Sequence, residues 1–309
     1  MNKVLKANIY FLIILILEIL GPYALSPIYA VLGISDLRFI LLFNHIVLFL
    51  VPAIIYLLVT KSSFKNKLRL NKLHMQDTLL IILLAFVVQP VMTFLSVIST
   101  FFFNNEVGSF IYEIASTPYI LLLGLVALLP SITEEITVRG IVLSGYENKN
   151  KYVAAAITGL FFGIFHLDAQ QFLYAAVLGF IFSLVVRITN SIYASMIMHF
   201  IINGTSVTFA KISKIITDNL PIAMESTEFS LKNISSEEKF LLLITYGVIA
   251  VIFSIFVFLI IYALGKINAK RSLIEGNTLI ETDNSKESIL NIPLILIIVI
   301  YIFFMISTI

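Results

Sequence analysis

Nine stretches of this chain are apolar for roughly 20 residues each, and that repetition constrains its fold more than any single motif does. They run over about 8–31, 38–60, 78–103, 117–143, 152–167, 170–188, 190–210, 240–265 and 290–309. A hydrocarbon layer of about 30 Å is crossed by about 20 residues of helix. Composition agrees: 60% of the residues are hydrophobic and 12% are charged, against roughly 25% charged in a soluble domain. The expectation is an all-α polytopic membrane protein, with eight or nine transmembrane helices around an intramembrane polar site. A secreted or cytosolic globular enzyme is excluded. So is a nucleic-acid binder, because a formal net charge of +2 leaves no broad basic face. The chain has no cysteine, and hence no disulfide, thiol nucleophile or Cys-ligated metal site.

Lysine and arginine fall in alternate loops. Lys3 and Lys6 precede the first run, while Lys61, Lys65, Lys67, Arg69 and Lys72 follow the second. Lys149 and Lys151 follow the fourth, Arg187 closes the sixth, and Lys266, Lys270 and Arg271 follow the eighth. Alternate loops share one side, which the positive-inside rule makes the cytoplasm. The expected location is the cell membrane, multi-pass, with the N-terminus cytoplasmic. The first run follows two lysines as in a signal peptide, but it is too long for a typical h-region and reads as a retained helix. Gly21-Pro22 is a place for it to kink. The Lys61–Lys72 cluster sets topology and touches anionic lipid. The chain divides into N-terminal helices over 1–116, a central core over 117–210 and an extracytoplasmic loop over 211–239. C-terminal helices over 240–309 follow, with a polar linker at 266–289.

Ionisable groups deep in a bilayer are expensive, so they point to function. Glu134, Glu135 and Arg139 lie together in the fourth run. Left unpaired, three such charges would cost roughly 8–10 kcal/mol. Glu135 and Arg139 are spaced i, i+4 with the acid nearer the N-terminus, so they can pair on one helix face. Glu134 lies about 100° further round and has no obvious local partner. Pro130 can break or kink the helix just before this site. His166 ends an aromatic stretch that includes Phe162, and Gly159 with Gly163 would let another helix come close. His199 and Asn203 are i, i+4 on one face of the seventh run. Glu18, Asp168, Gln170 and Gln171 read as interfacial, helix-bonding or loop groups, and His45 and His74 carry no assigned role.

Depth links these residues. Counted at ~1.5 Å per residue from the cytoplasmic helix ends, Glu134 lies roughly 18 Å in and His166 roughly 21 Å. His199 and Asn203 lie at roughly 14 and 20 Å. Three helices therefore bring polar groups to one level near the midplane. A carboxylate there can act as general base toward water. Imidazoles can orient the water or hydrogen-bond an oxyanion, and an Asn amide is an oxyanion donor. Alternatively Glu134, His166 and His199 form a zinc-type ligand set with an open water position. Both routes lead to hydrolysis of an amide.

The Glu-Glu-x-x-x-Arg, Phe-x-x-x-His and His-x-x-x-Asn motifs occur in order on successive helices. In this the chain resembles the CAAX-protease and bacteriocin-processing (CPBP, or Abi) family of intramembrane endopeptidases. That family includes the type II CAAX prenyl endopeptidase and lysostaphin-resistance-like membrane proteins. The resemblance covers about residues 117–210. It implies that Glu134 activates the hydrolytic water, with Arg139 holding the motif and Glu135 as its supporting partner. His166 would bind or orient the water, His199 and Asn203 would form the oxyanion site, and Phe162 would pack at the motif's start. No cofactor is required on the glutamate mechanism, while a divalent metal such as zinc stays open. The implied partners are membrane lipid and a membrane-associated peptide or protein substrate, with no nucleic acid. Bacteriocin maturation and self-immunity are the associated roles. Two other classes compete: a proton-coupled transporter, and a non-catalytic membrane scaffold or immunity protein of the same fold.

Overall fold

The computed structural model describes residues 2–219, 234–274 and 287–308. Nine long helices make up most of them: α1 Lys3–Val31, α2 Leu37–Val59, α3 Met75–Thr100, α4 Tyr119–Gly145, α5 Lys151–Phe165, α6 Ala169–Thr189, α7 Tyr193–Asn219, α8 Ser236–Ile274 and α9 Ile292–Thr308. No strand occurs among the described residues, and the protein is an all-α polytopic membrane protein. Helices α1 to α4, α6 and α8 are long and apolar enough to cross a bilayer, whereas α5 and α9 are shorter apolar helices. Helix α1 continues through Pro22 and Pro27.

Two helices outrun their apolar stretches. Helix α7 continues to Asn219 and α8 begins at Ser236, so the described parts of 211–239 are largely helical. The start of α8 is a capping box. Glu238 N donates to Ser235 Oγ at 3.2 Å, and Ser235 N donates to Glu238 Oε2 at 2.9 Å. Such a box draws polar residues into the helix that an apolar window leaves out. Helix α8 also takes in residues 266–274 of the expected polar linker. Residues 220–233 of the loop and 275–286 of the linker lie outside the described residues.

Helices α4 to α7 form the centre. Half of the apolar stretch of α4 and of α6 is buried, against 22% in α8, so α8 turns most of its surface to lipid. One apolar core joins α1, α2, α4, α5, α6 and α9, and a second joins α3, α6, α7 and α8. Helices α5 and α6 pack with almost no space between them. A Cβ on Gly159 would stand 2.7 Å from the Ala176 carbonyl and from Phe180 N. Gly163 meets the Phe172 carbonyl in the same way, at 2.9 Å. The small-residue pair on α5 is therefore the contact that fixes α6 against it.

The cation-bearing segments gather at one end of the bundle. Ile192 N donates to the Arg69 carbonyl at 3.1 Å, and Asn71 Nδ2 to the Asn190 carbonyl at 2.7 Å. Arg187 Nη1 donates to the Tyr146 carbonyl at 3.2 Å, and the Tyr146 hydroxyl bonds Asn8 near the start of α1. Arg271 reaches Asp77 at 2.6 Å. The five loops and termini that carry most of the Lys and Arg are thus one surface.

Candidate active site

Helix α4 is irregular on both sides of its charges. Residues 124–128 and 136–142 form wide π-type turns, and Pro130 lies between them. Pro130 has no N–H, so the Val126 carbonyl four residues earlier loses its α-helical donor. Asn203 Nδ2 from α7 supplies a replacement at 3.2 Å. One hydrogen of the Asn203 amide is therefore spent on holding α7 to the wide turn of α4. The other has no assigned acceptor among the described residues.

Past the proline, Thr133, Glu134 and Glu135 are all buried. Glu135 and Arg139 have no exposed surface, and Arg139 Nη1 donates to Glu135 Oε1 at 3.0 Å. The guanidinium stacks 4.0 Å from the centre of the Phe162 ring and 5.1 Å from that of Phe182, and its Nη2 approaches the Gly179 carbonyl at 3.4 Å. Gly179 makes this approach feasible: a Cβ there would lie 2.8 Å from Phe162 Cβ and 3.2 Å from Arg139 Nη2. Phe162 is thus more than packing, since its face receives the buried cation.

Glu135 Oε1 has a second partner, His199 Nδ1, at 2.9 Å. A carboxylate oxygen only accepts, so His199 carries its proton on Nδ1. Its Nε2 then faces Glu134, with Oε2 at 3.9 Å. That is too far for a direct hydrogen bond and suits a contact through one water. Glu134 Oε2 is itself buried and has no hydrogen-bond partner among the described residues.

His166 stands at the C-terminal end of α5. The helix tightens there, and the backbone N–H of His166 turns to Gly163 at 3.4 Å. The Phe162 carbonyl is left without its regular donor and is taken by His166 Nδ1 at 2.7 Å. Nδ1 is again the protonated nitrogen. The Phe162 ring lies edge-on to both His166 and His199, with centroids 4.7 and 5.8 Å away. Arg139, His166 and His199 therefore meet around Phe162, with Glu134 and Glu135 beside His199, while Asn203 turns to the Val126 carbonyl instead.

Two further groups join them. His45 of α2 is buried and bonds Thr133 Oγ1 through Nδ1 at 2.9 Å. The Thr133 hydroxyl donates its hydrogen to the Leu129 carbonyl at 3.0 Å, so His45 donates in that bond. Among the described residues, Glu18 of α1 has Oε2 buried without a partner, and the charge that faces it is Glu134. The depth count could have found both. His45 is 14 residues from Val59 and Glu18 is 15 from Lys3, which places them roughly 21 and 22 Å in. That is the level of the other groups. Gln170 is helix-bonding as expected, reaching Ser96 at 2.8 Å and Thr100 at 3.1 Å, and Asp168 caps the start of α6. Among the described residues, no group of three His, Asp or Glu side chains is placed as metal ligands would be. The set Glu134, His166 and His199 does not fit a metal as it stands.

Residues 116–205 match the family model described as type II CAAX prenyl endopeptidase Rce1-like. The match spans Glu134, Glu135, Arg139, Phe162, His166, His199 and Asn203, and leaves out Glu18 and His45. No curated protein and no solved structure matches the chain.

Proposed function

We propose, supported by the match of residues 116–205 to the type II CAAX prenyl endopeptidase Rce1-like model, that Glu134 is the general base of an intramembrane endopeptidase. The observation that carries this reading is the pairing of Glu134 Oε2, buried and unpartnered, with His199 Nε2 at 3.9 Å. A water at hydrogen-bond distance from both would stand between them. The Glu135–Arg139 pair fixes the imidazole, and the fixed imidazole fixes the water.

In the proposed reaction that water attacks the scissile carbonyl carbon and its proton passes to Glu134. The carbonyl oxygen becomes an oxyanion. The donor for it is the uncommitted Asn203 amide hydrogen, while His199, with its Nε2 bare, holds the water. The C–N bond then breaks, and Glu134 returns the proton to the leaving nitrogen, which departs as an amine. His166, whose Nε2 is left bare by its bond to Phe162, is an alternative acceptor to His199 for the second hydrogen of the water. Every step uses groups of this chain. The substrate class is a membrane-associated peptide or protein, and the cellular setting is processing of small peptides, bacteriocin maturation or self-immunity. The protein would act in the cell membrane, with its cation-rich end in the cytoplasm.

The test is Glu134→Gln, which keeps the shape and removes the base. Comparative peptidomics of cells carrying either form should show peptides that accumulate only with the variant. Cleavage that persists in Glu134→Gln rules out the assignment.

A further inference from the structure

The cation-rich end of the bundle holds a cavity of about 420 Å³ that the peptidase reading does not use. Its lining includes four cations, Lys3, Lys6, Lys67 and Arg69, and one carboxylate, Glu147. The carboxylate does not neutralise them. Glu147 is largely exposed and its nearest approach is 4.0 Å, to Arg69 Nη2. Arg69 is only 6% exposed, yet its Nη1 is buried without a hydrogen-bond partner among the described residues. The nearby Glu287 carboxylate is committed to the backbone N–H groups of Lys3 and Val4, at 3.1 Å each.

Burying a guanidinium without an anion is costly, and the penalty grows when like charges crowd it. The crowding is visible in Lys67. Burial holds its ammonium below the ordinary lysine range, and Lys3, Arg69 and Lys6 add to that, against Glu147. The loop is built to hold this geometry. Arg69 has a left-handed backbone with φ of 49°, and its carbonyl is tied to Ile192 N at 3.1 Å. The side chain is therefore directed by the fold and is not a mobile surface arginine.

We propose that this cavity binds a phosphate group, with Arg69 as the buried anchor and Lys3, Lys6 and Lys67 around it. Two features favour the headgroup of an anionic phospholipid as its source. The cavity lies where α1 begins and where α2 and α4 end, which is the level of the phosphates in one leaflet. Tyr56 also lines it, an aromatic side chain of the kind that settles at that interface. The site is independent of the peptidase reading, because Glu134 lies roughly 18 Å deeper along α4.

The experiment uses the purified full-length chain in a neutral detergent. Thermal stabilisation and native mass spectrometry are read during titration with phosphatidylglycerol, phosphatidylcholine or inorganic phosphate. Phosphatidylglycerol should bind more tightly than phosphatidylcholine. Each cation removed should weaken that binding about fivefold. Arg69→Gln tests the anchor. Lys6→Gln/Lys67→Gln, which leaves the buried arginine in place, carries the test if Arg69→Gln fails to fold. Stabilisation by phosphate but not by phosphatidylglycerol, lost in the variants, would keep the site and make its ligand a soluble phosphate. Equal binding of both lipids with no phosphate effect overturns the proposal. A preference unchanged in both variants overturns it as well.

Discussion

Arg139→Met tests the reasoning about the buried pair most directly. The substitution keeps a long side chain between Phe162 and Phe182, where the guanidinium now stacks at 4.0 and 5.1 Å from the two ring centres. It removes the charge 3.0 Å from Glu135 Oε1 and leaves a carboxylate with no exposed surface. Breaking a buried pair from one side costs about 3–5 kcal/mol. The reverse change, Glu135→Gln, strands the arginine and costs about the same. If the residues were independent, the double variant would lose roughly 6–10 kcal/mol. Because each is destabilising mainly through the other's stranded charge, the double variant should lose no more than the worse single one. The assay is unfolding in mixed micelles by a denaturing detergent, followed by helical circular dichroism. An Arg139→Met protein within about 1 kcal/mol of wild type, or a double variant near the simple sum, would refute the argument.

Three other expectations are specific. Glu134→Gln should lower turnover by about 10²–10⁴-fold with unfolding unchanged, because Glu134 Oε2 has no partner among the described residues to lose. Asn203→Ala should cost about 1–3 kcal/mol through the uncovered Val126 carbonyl. In a Pro130→Ala background, where residue 130 regains an N–H, that cost should shrink, and an equal cost in both backgrounds would separate the two residues. Gly179→Ala puts a Cβ 2.8 Å from Phe162 Cβ and 3.0 Å from Gly159 Cα. Overpacking of this kind costs about 1–3 kcal/mol, and Gly179→Ser should be no better, as thermal inactivation would show.

The helices were legible because lipid demands roughly 20 apolar residues for each crossing, whatever packs beside them. The Glu135–Arg139 pair was legible because i, i+4 contacts are set by the helix alone. Contacts between helices were legible only where the Gly159 and Gly163 pair marked one. Asn203 is spaced from His199 as an oxyanion donor would be, but its partner is a carbonyl 77 residues away that only Pro130 leaves open. Nothing in the sequence around Asn203 records that. His45 sits alone in an apolar run, and its tie to Thr133 spans 88 residues. Gly179 stands four residues from both Ala175 and Ser183, so a stripe of small residues marks this face of α6, but the approach of Phe162 and Arg139 to it is not written there. The ends of α7 and α8 were missed for a different reason. Windows chosen for hydrophobicity stop where capping residues begin.

The three imidazoles of the cluster come from three helices, and each spends the same nitrogen. Nδ1 goes to the Thr133 hydroxyl in His45, to the Phe162 carbonyl in His166 and to the Glu135 carboxylate in His199. In all three bonds the partner accepts, so each neutral ring keeps a bare Nε2. Bulk water is not available to hold rings in a bilayer interior, and these acceptors replace it. Their strengths differ. Only His199 is tied to a charged acceptor, and only that acceptor is neutralised by a cation enclosed between aromatic rings. The order of the site therefore runs from Phe162 and Phe182 to Arg139, then to Glu135, then to His199, and ends at Glu134, 3.9 Å from His199 Nε2. A change anywhere along that line should loosen the ring nearest Glu134 before it touches Glu134 itself.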